Sequence, residues 1–513
     1  MANKKDEGIS YGSVTLPNSE RRYSLVRWGW RGLNRTNIID SGNITDCSNV
    51  YIDPTHVDVC ADIINFTKEL GSNILEVFGF DNFLILIEKR VENNTISIIQ
   101  ILHTPKDEIG KLTVVSKTLG PAREDGNEPP RSIVQFNTAV NTENIAAASY
   151  VRKILVYPDM VSFELKYDEV FDVHNVMQDP QKFDIDGSPQ PPINYAAVYA
   201  SRLFGVSNTK VYASQFNNYS GWKLDTANDI SEANAWMSMT QSNPKMDGLF
   251  TGIWVYNNHV MLFRQDFIQM VYSNNNPFRI VDLASYGADS QKAITEANGV
   301  LYFASRDNVY AFTGGIPRAI GDDLGIPDYR GACLGYFKDK LYMCVGNDMY
   351  IYRNGVWSAR HLDKKIIQFA TNDNGLYGLV GETGQLFLID SDDHEKADGT
   401  GKIQYGDWWF ETDLMCAGKL DIKRAKKISL LVDADKGSSV SVYLLRDDEE
   451  FDPNMPKVLS FDNFGHSGKR VLRGMIRGFG GFAHKLRIAG HGKVRVYAAE
   501  LLVTLGGDLY RSE

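Results

Sequence analysis

Residues 299–324 read GVLYFASRDNVYAFTGGIPRAIGDDL. An apolar run at 300–303 meets a polar break at Ser305-Arg306-Asp307-Asn308. A second run follows at 309–312, and Gly314-Gly315 with Pro317 closes the unit. Two strand-length runs of β-branched and aromatic residues between turn residues read as a hairpin. The same grammar recurs in KDKLYMCVGNDMYIYRNGVW (338–357), DNGLYGLVGETGQLFLID (373–390) and NNHVMLFRQDFIQMVYSNNNPFRIVD (257–282). Leu301, Leu341 and Leu376 each precede a Tyr, at spacings of 40 and 35 residues, and Val260 stands 41 before Leu301. A period near 40 built from short strands matches a β-propeller blade. One such sheet cannot bury both its faces, which is why the unit must recur.

Composition agrees with an all-β chain. Aromatic residues make up 11% of the 513 and there are 44 glycines, so strand formers and turn formers are both plentiful. Fainter copies lie upstream. FGFDNFLILIEKRVENNTISIIQI (78–101) predicts a hairpin turning at Glu92-Asn93-Asn94, and RLFGVSNTKVYASQFNNYSGWKL (202–224) repeats the shape of the unit that ends at Trp357. The reading is about six or seven blades over 61–400, interrupted by loops at about 104–150 and 176–194, the second carrying DPQKFDIDGSPQPPIN. Helical patterning is sparse, with candidates only at 59–70, 141–155 and 231–239. Residues 1–60 read as an N-terminal opening segment.

Past residue 400 the texture changes. RAKKISLLVDADKGSSVSVYLLRDDEEF holds two period-2 runs joined by Asp435-Lys436-Gly437-Ser438, and three or four more strands follow. The expectation over 401–513 is a C-terminal β-sandwich or platform layer, with Trp408 and Trp409 burying its junction to the propeller.

Motifs for chemistry are missing. HExxH, GxSxG and Walker A patterns do not occur, and the nine histidines are scattered. Asp433-Ala434-Asp435-Lys436-Gly437 opens like a calcium loop, but Gly437 and Leu444 stand where an oxygen ligand and a Glu are needed, so it reads as a hairpin turn. The Asp-box of propeller hydrolases is absent: NNYSGW (217–222) lacks its aspartate. The expectation is a non-enzyme without cofactor or metal. Five cysteines without a CxxC read as buried thiols of a reducing compartment. No segment approaches 18 uninterrupted apolar residues, so no membrane span is expected.

Charge is uneven. Net charge is −10, yet residues 463–513 hold nine Lys or Arg against three Asp or Glu, leaving −16 for the rest. An acidic body argues against a general nucleic-acid binder, because phosphate contacts drive that affinity.

GWRGLNRTNIIDSGNITDCSNVYID (29–53), with Gly32-Leu33-Asn34 and then Asn49-Val50-Tyr51-Ile52-Asp53, resembles the opening of tailed-phage tail proteins. Residues 263–321 are similar to the tail nozzle, or tail stabilisation, family through Tyr272, Pro277-Phe278, Gly287, Ser305-Arg306-Asp307 and Gly314-Gly315. The resemblance implies a structural virion protein of the tail, made in the host cytoplasm. Copies of it, by family analogy six, would form a ring below the head–tail adaptor, support fibre proteins and let genomic DNA pass. The alternative is a receptor- or glycan-binding propeller of the tail fibres. On the ring reading, Arg473, Arg477, Arg487 and Arg495 are candidate subunit-interface or channel contacts. They stand among alternating apolar residues, and that alternation predicts cations on one exposed sheet face.

Overall fold

The structure is a computed structural model. It describes residues 22–36, 41–65, 73–81, 83–90, 94–103, 112–122, 130–139, 150–159, 161–165, 191–227, 229–239, 248–272, 276–391, 403–416, 421–447 and 449–505. Among the described residues the regular structure is 38 strands, β1 to β38 in chain order, and two short 3-10 turns.

The chain is a β-propeller joined to a β-sandwich. Seven small antiparallel sheets are described, six of four strands and one of three. Their first strands are β6 (Ile74–Phe80), β10 (Ser132–Ala139), β13 (Tyr195–Tyr199), β17 (Phe250–Tyr256), β21 (Ile294–Ala297), β25 (Cys333–Phe337) and β29 (Ile366–Asn372). These pack side by side around one axial cavity of about 620 Å³. The seventh sheet meets the first where β29 packs on β6 and Gln368 Nε2 donates to the Val77 carbonyl at 2.7 Å. Its outermost strand, β5 (Ile64–Asn65), comes from the N-terminal side and pairs with β31 (Gln385–Ser391). That pairing covers an edge that would otherwise be open.

Val260, Leu301, Leu341 and Leu376 each sit in the second strand of a different sheet, the fourth to the seventh, and all four are buried. The repeat in the sequence is thus the repeat of the fold. Residues 299–324 supply the second to fourth strands of the fifth sheet (Val300–Ala304, Val309–Phe312, Arg318–Ala319). The inner strand is β21, four residues with a polar middle, too short to stand out.

Other expectations need correction. The segment 104–150 is not one long loop. Its runs LTVVSKTLGP and SIVQFNTA are β9 (Leu112–Pro121), which pairs with β8 (Thr95–His103), and β10. Residues 104–111, 123–129 and 140–149, like most of the second interruption at 176–190, lie outside the described residues. The three helix candidates give strands instead: β5, β11 (Tyr150–Tyr157) and β16 (Trp236–Met239), where pairing with neighbouring strands overrides weak helical periodicity. The remainder of the first two candidates, 66–70 and 141–149, is not described.

The sandwich has two sheets. One runs β3 (Val50–Asp53), β4 (His56–Val59), β38 (Val494–Leu505), β33 (Lys423–Ala434), β36 (Gly468–Gly481), with β1 (Arg22–Trp28) also on β38. The other runs β2 (Ile44–Ser48), β32 (Asp407–Thr412), β37 (His484–His491), β34 (Ser439–Arg446), β35 (Leu459–Phe461). The opening segment is therefore part of the sandwich. The stretch 435–438 is a passage from one sheet to the other and not a hairpin turn, since β33 and β34 lie in different sheets.

One hydrophobic core runs through both parts. Ile428, Leu430, Val442, Ile488 and Leu501 of the sandwich join Leu341, Met343 and Trp357 of the sixth propeller sheet through Trp30 and Leu33. Strands β2 and β3 pack on β28 (Val356–His361), the outer strand of that sheet. Strands β35 and β36 end the two sandwich sheets at the edge opposite β3 and β2, the strands that pack on the propeller.

Candidate functional site

The four candidate arginines do not share one exposed face. Arg487 is 13% exposed, donates from Nη1 to Glu411 Oε1 at 2.7 Å, and lies 3.6 Å over the Trp409 ring and 4.0 Å over that of Phe451. Arg495 grips Asp58 with two bonds, of 2.6 and 2.9 Å. Alternation correctly separates these cations from the apolar face. It cannot show that Trp409 and Phe451 cover the other side of β37, or that Asp58 waits on β4. Arg473 and Arg477 are exposed, and no carboxylate pairs with them among the described residues.

Arg473 and Arg477 alternate with Val471 and Met475, the last 77% exposed, along the outward side of β36. Beside them Val26, Leu431, Ala498 and Glu500 line a shallow groove of about 270 Å³. The far edge of the sandwich is thus basic and apolar at once.

A second exposed feature was missed in the sequence. Between β15 (Lys210–Ala213) and β16 the third sheet carries residues 214–235. Buried Arg202 holds this loop through three backbone carbonyls, those of Ser214, Glu232 and Asn234. Asp225 accepts from the Ser231 amide at 3.0 Å and from the Asn234 and Asn276 side chains at 2.8 and 3.3 Å. The loop is ordered by its own polar groups, yet it leaves Ile230 79% exposed, with Leu224 and Phe216 also in solvent. Residues 223–235 carry Lys223 against Asp225, Asp229 and Glu232, a net −2. The clue was spacing: Leu203 and Val260, both in second strands, stand 57 positions apart where other anchors stand 35–41 apart. Ordered insertions of this length are commonly functional.

The axial cavity is the third feature. Buried Glu76 accepts the Arg131 amide on both oxygens at 3.1 Å and faces Lys292 Nζ at 3.8 Å. Burial pushes its carboxyl up, against the opposing pull of Lys292. Trp254 Nε1 donates to Glu296 Oε2 at 3.4 Å at the cavity wall. Such a space can hold a small polar molecule. Among the described residues no group of three His, Cys, Asp or Glu is placed to hold a metal ion, and no helix is long and apolar enough to cross a membrane. Cys47, Cys60, Cys333 and Cys344 are buried and Cys416 is half-buried.

At the propeller–sandwich junction, Arg35 donates to Asp46 and to the Tyr350 hydroxyl, both at 2.7 Å. His361 reaches Asp348 at 2.5 Å and stacks on Trp409 with ring centroids 5.6 Å apart. Trp408 is buried and donates to the Gly492 carbonyl at 3.1 Å. Trp409 thus lies at the join, half-buried against His361, while Trp408 packs against Phe410 within the sandwich.

No protein-family model matches the chain, and no curated protein matches it in sequence. Solved structures match in shape. The extracellular domain of a putative hybrid two-component system from B. thetaiotaomicron is 9% identical over 86% of this chain and 59% of that one, with a TM-score of 0.40. The β-propeller domain of the Trilobed protease from Pyrococcus furiosus is 11% identical over 63% and 97%, at 0.31. PorZ of Porphyromonas gingivalis, a surface component of the type-IX secretion system, is 10% identical over 86% and 76%, at 0.31. At such identities and scores no activity or partner carries over.

Proposed function

We propose that the chain is a structural protein of a bacteriophage tail virion, a nozzle-like subunit whose copies ring the DNA path below the head–tail adaptor and carry fibres. The observation that supports this most is the weld between propeller and sandwich. Residues 30–36 and 41–53, within the stretch that carries the family resemblance, contribute to it. The Leu33 amide donates to the Trp357 carbonyl at 2.8 Å, Arg35 donates to the Tyr350 hydroxyl at 2.7 Å, and the Ser48 hydroxyl accepts the His361 amide at 3.1 Å. A subunit that bears load between neighbours needs two lobes that do not hinge, and a shared core removes the hinge. Its role is mechanical and not catalytic.

The test is native mass spectrometry with negative-stain imaging of the purified protein, and antibody labelling of phage particles. A closed ring of several copies and label on the tail axis are expected. A chain that stays monomeric at high concentration and is absent from particles would overturn the reading. A glycan-binding propeller is the second reading, favoured by the axial cavity with Trp254, Glu296 and Lys292. Retention on immobilised sugars by the monomer would support it instead.

A further inference from the structure

The two exposed features identified above lie on different parts of the molecule. The sandwich is mounted on the sixth propeller sheet through β2 and β3, and its far edge is β36. The loop 214–235 belongs to the third sheet, three places round the ring from the sixth. Loop and edge are chemically complementary. The loop is acidic, net −2, around exposed Ile230 and Leu224. The edge is basic, with Arg473 and Arg477 around exposed Val471 and Met475.

Resting on the ring reading above, we propose that residues 223–227 and 229–235 of one copy dock on the outward side of β36 of the next, a head-to-tail contact that generates the ring. Two different patches of one subunit, one on the propeller and one on the sandwich, make a heterologous interface, which closes into a ring when the rotation between copies allows it. The apolar groups at each centre supply area free of charge, and the surrounding charges fix register and exclude the loop–loop and edge–edge pairings, which set like charges together. The loop suits this role because Arg202 and Asp225 order it before contact, so little conformational freedom is lost on docking. The edge suits it because β36 pairs only with β33 among the described strands.

The test uses two full-length variants. In one, Arg473→Glu and Arg477→Glu reverse the edge. In the other, Glu232→Lys and Ala233→Lys reverse the loop at exposed positions whose side chains hold nothing in place. Each alone should self-associate at least about tenfold more weakly than the natural chain in analytical ultracentrifugation. An equimolar mixture should assemble again, because each reversed surface then meets an opposite charge on the other variant. As a check independent of charge, Ile230→Cys with Met475→Cys should give chain-to-chain crosslinks under mild oxidation. If the natural chain assembles and either variant alone assembles equally well, or the mixture stays monomeric, or the cysteines do not crosslink, this contact is wrong while the ring stands. If the natural chain never assembles, the ring and the contact fall together.

Discussion

His361, on a propeller strand, faces Asp46, on a sandwich strand, at 3.5 Å, while its other ring nitrogen reaches Asp348 at 2.5 Å. The imidazole thus sits between two carboxylates, one from each lobe. The Asp348 hydrogen bond first, then that of Asp46, pushes it up to about 9 against the opposing effect of burial. In return the His361 hydrogen bond holds the Asp348 carboxyl below its usual range. Asp46 is also held low: burial raises it, but His361 and Arg35 outweigh that.

The sign follows from linkage. His361 is raised on folding, so its contribution is full below about 6.5, its unfolded value, and fades as pH rises through about 9. Asp46 and Asp348 are depressed, so theirs is present above about 4 and lost as pH falls below it. With the imidazole 37% exposed, screening reduces the effect to about 1–2 kcal/mol. Urea denaturation of the natural chain and His361→Gln should differ by that amount at pH 5–6 and converge by pH 10. A difference that widens with pH would contradict the assignment.

Arg27 and Asp413 form the most secluded ion pair described. They meet at 3.1 Å with side chains 3% and 0% exposed. Asp413 also accepts the Ser41 and Gly42 amides, so it ties both β1 and residues 41–42 to the end of β32. Arg27→Met leaves a buried carboxylate without its cation and should cost about 3–5 kcal/mol in denaturant stability. Arg27→Met with Asp413→Asn should cost less than the two single changes added together. Additive losses would show that the two side chains do not act as a pair.

Gly79 lies on β6 where the inner strands crowd at the axis. A Cβ there would stand 1.9 Å from the Thr371 carbonyl oxygen on β29. Gly79→Ala must push the first and seventh sheets apart, at about 2–4 kcal/mol. Gly315→Ala, which meets nothing within 4 Å, is the control and should stay within about 0.5 kcal/mol. Equal melting temperatures for the two variants would mean the ring closes less tightly than this spacing requires.

The propeller was legible because its second strands announce themselves. Val260, Leu301, Leu341 and Leu376 are fully buried positions in strands bounded by turns, and burial demands apolar residues there whatever else changes. Its inner strands were harder to read, because β21 is only four residues with a polar middle, and the turn before it meets β17 through Gln291 bonding the Ile253 backbone. The sandwich was read as C-terminal only, since nothing local says that β1, β2 and β4 pair with strands more than 350 residues away. Site residues failed for the same reason. Arg487 and Arg473 have the same local pattern, and only the tertiary fold puts Glu411 beside one and solvent beside the other.

That difference makes the sharpest prediction. From sequence, Arg473, Arg477 and Arg487 would be reversed together to weaken assembly with the monomer intact. The structure separates them. Arg487→Glu would set a third charged group against Glu411, which already holds Lys485, and would empty the space between Trp409 and Phe451. The pair is nearly buried, so the loss should be about 3 kcal/mol or more and should appear in the monomer's melting curve. Arg473→Glu with Arg477→Glu touches no described partner and should change stability by no more than about 0.5 kcal/mol. Calorimetry of the two variants at a concentration where the chain is monomeric separates the cases. If the Arg473 and Arg477 variant melts as early as the Arg487 variant, the far edge of the sandwich supports the fold and is not a free surface.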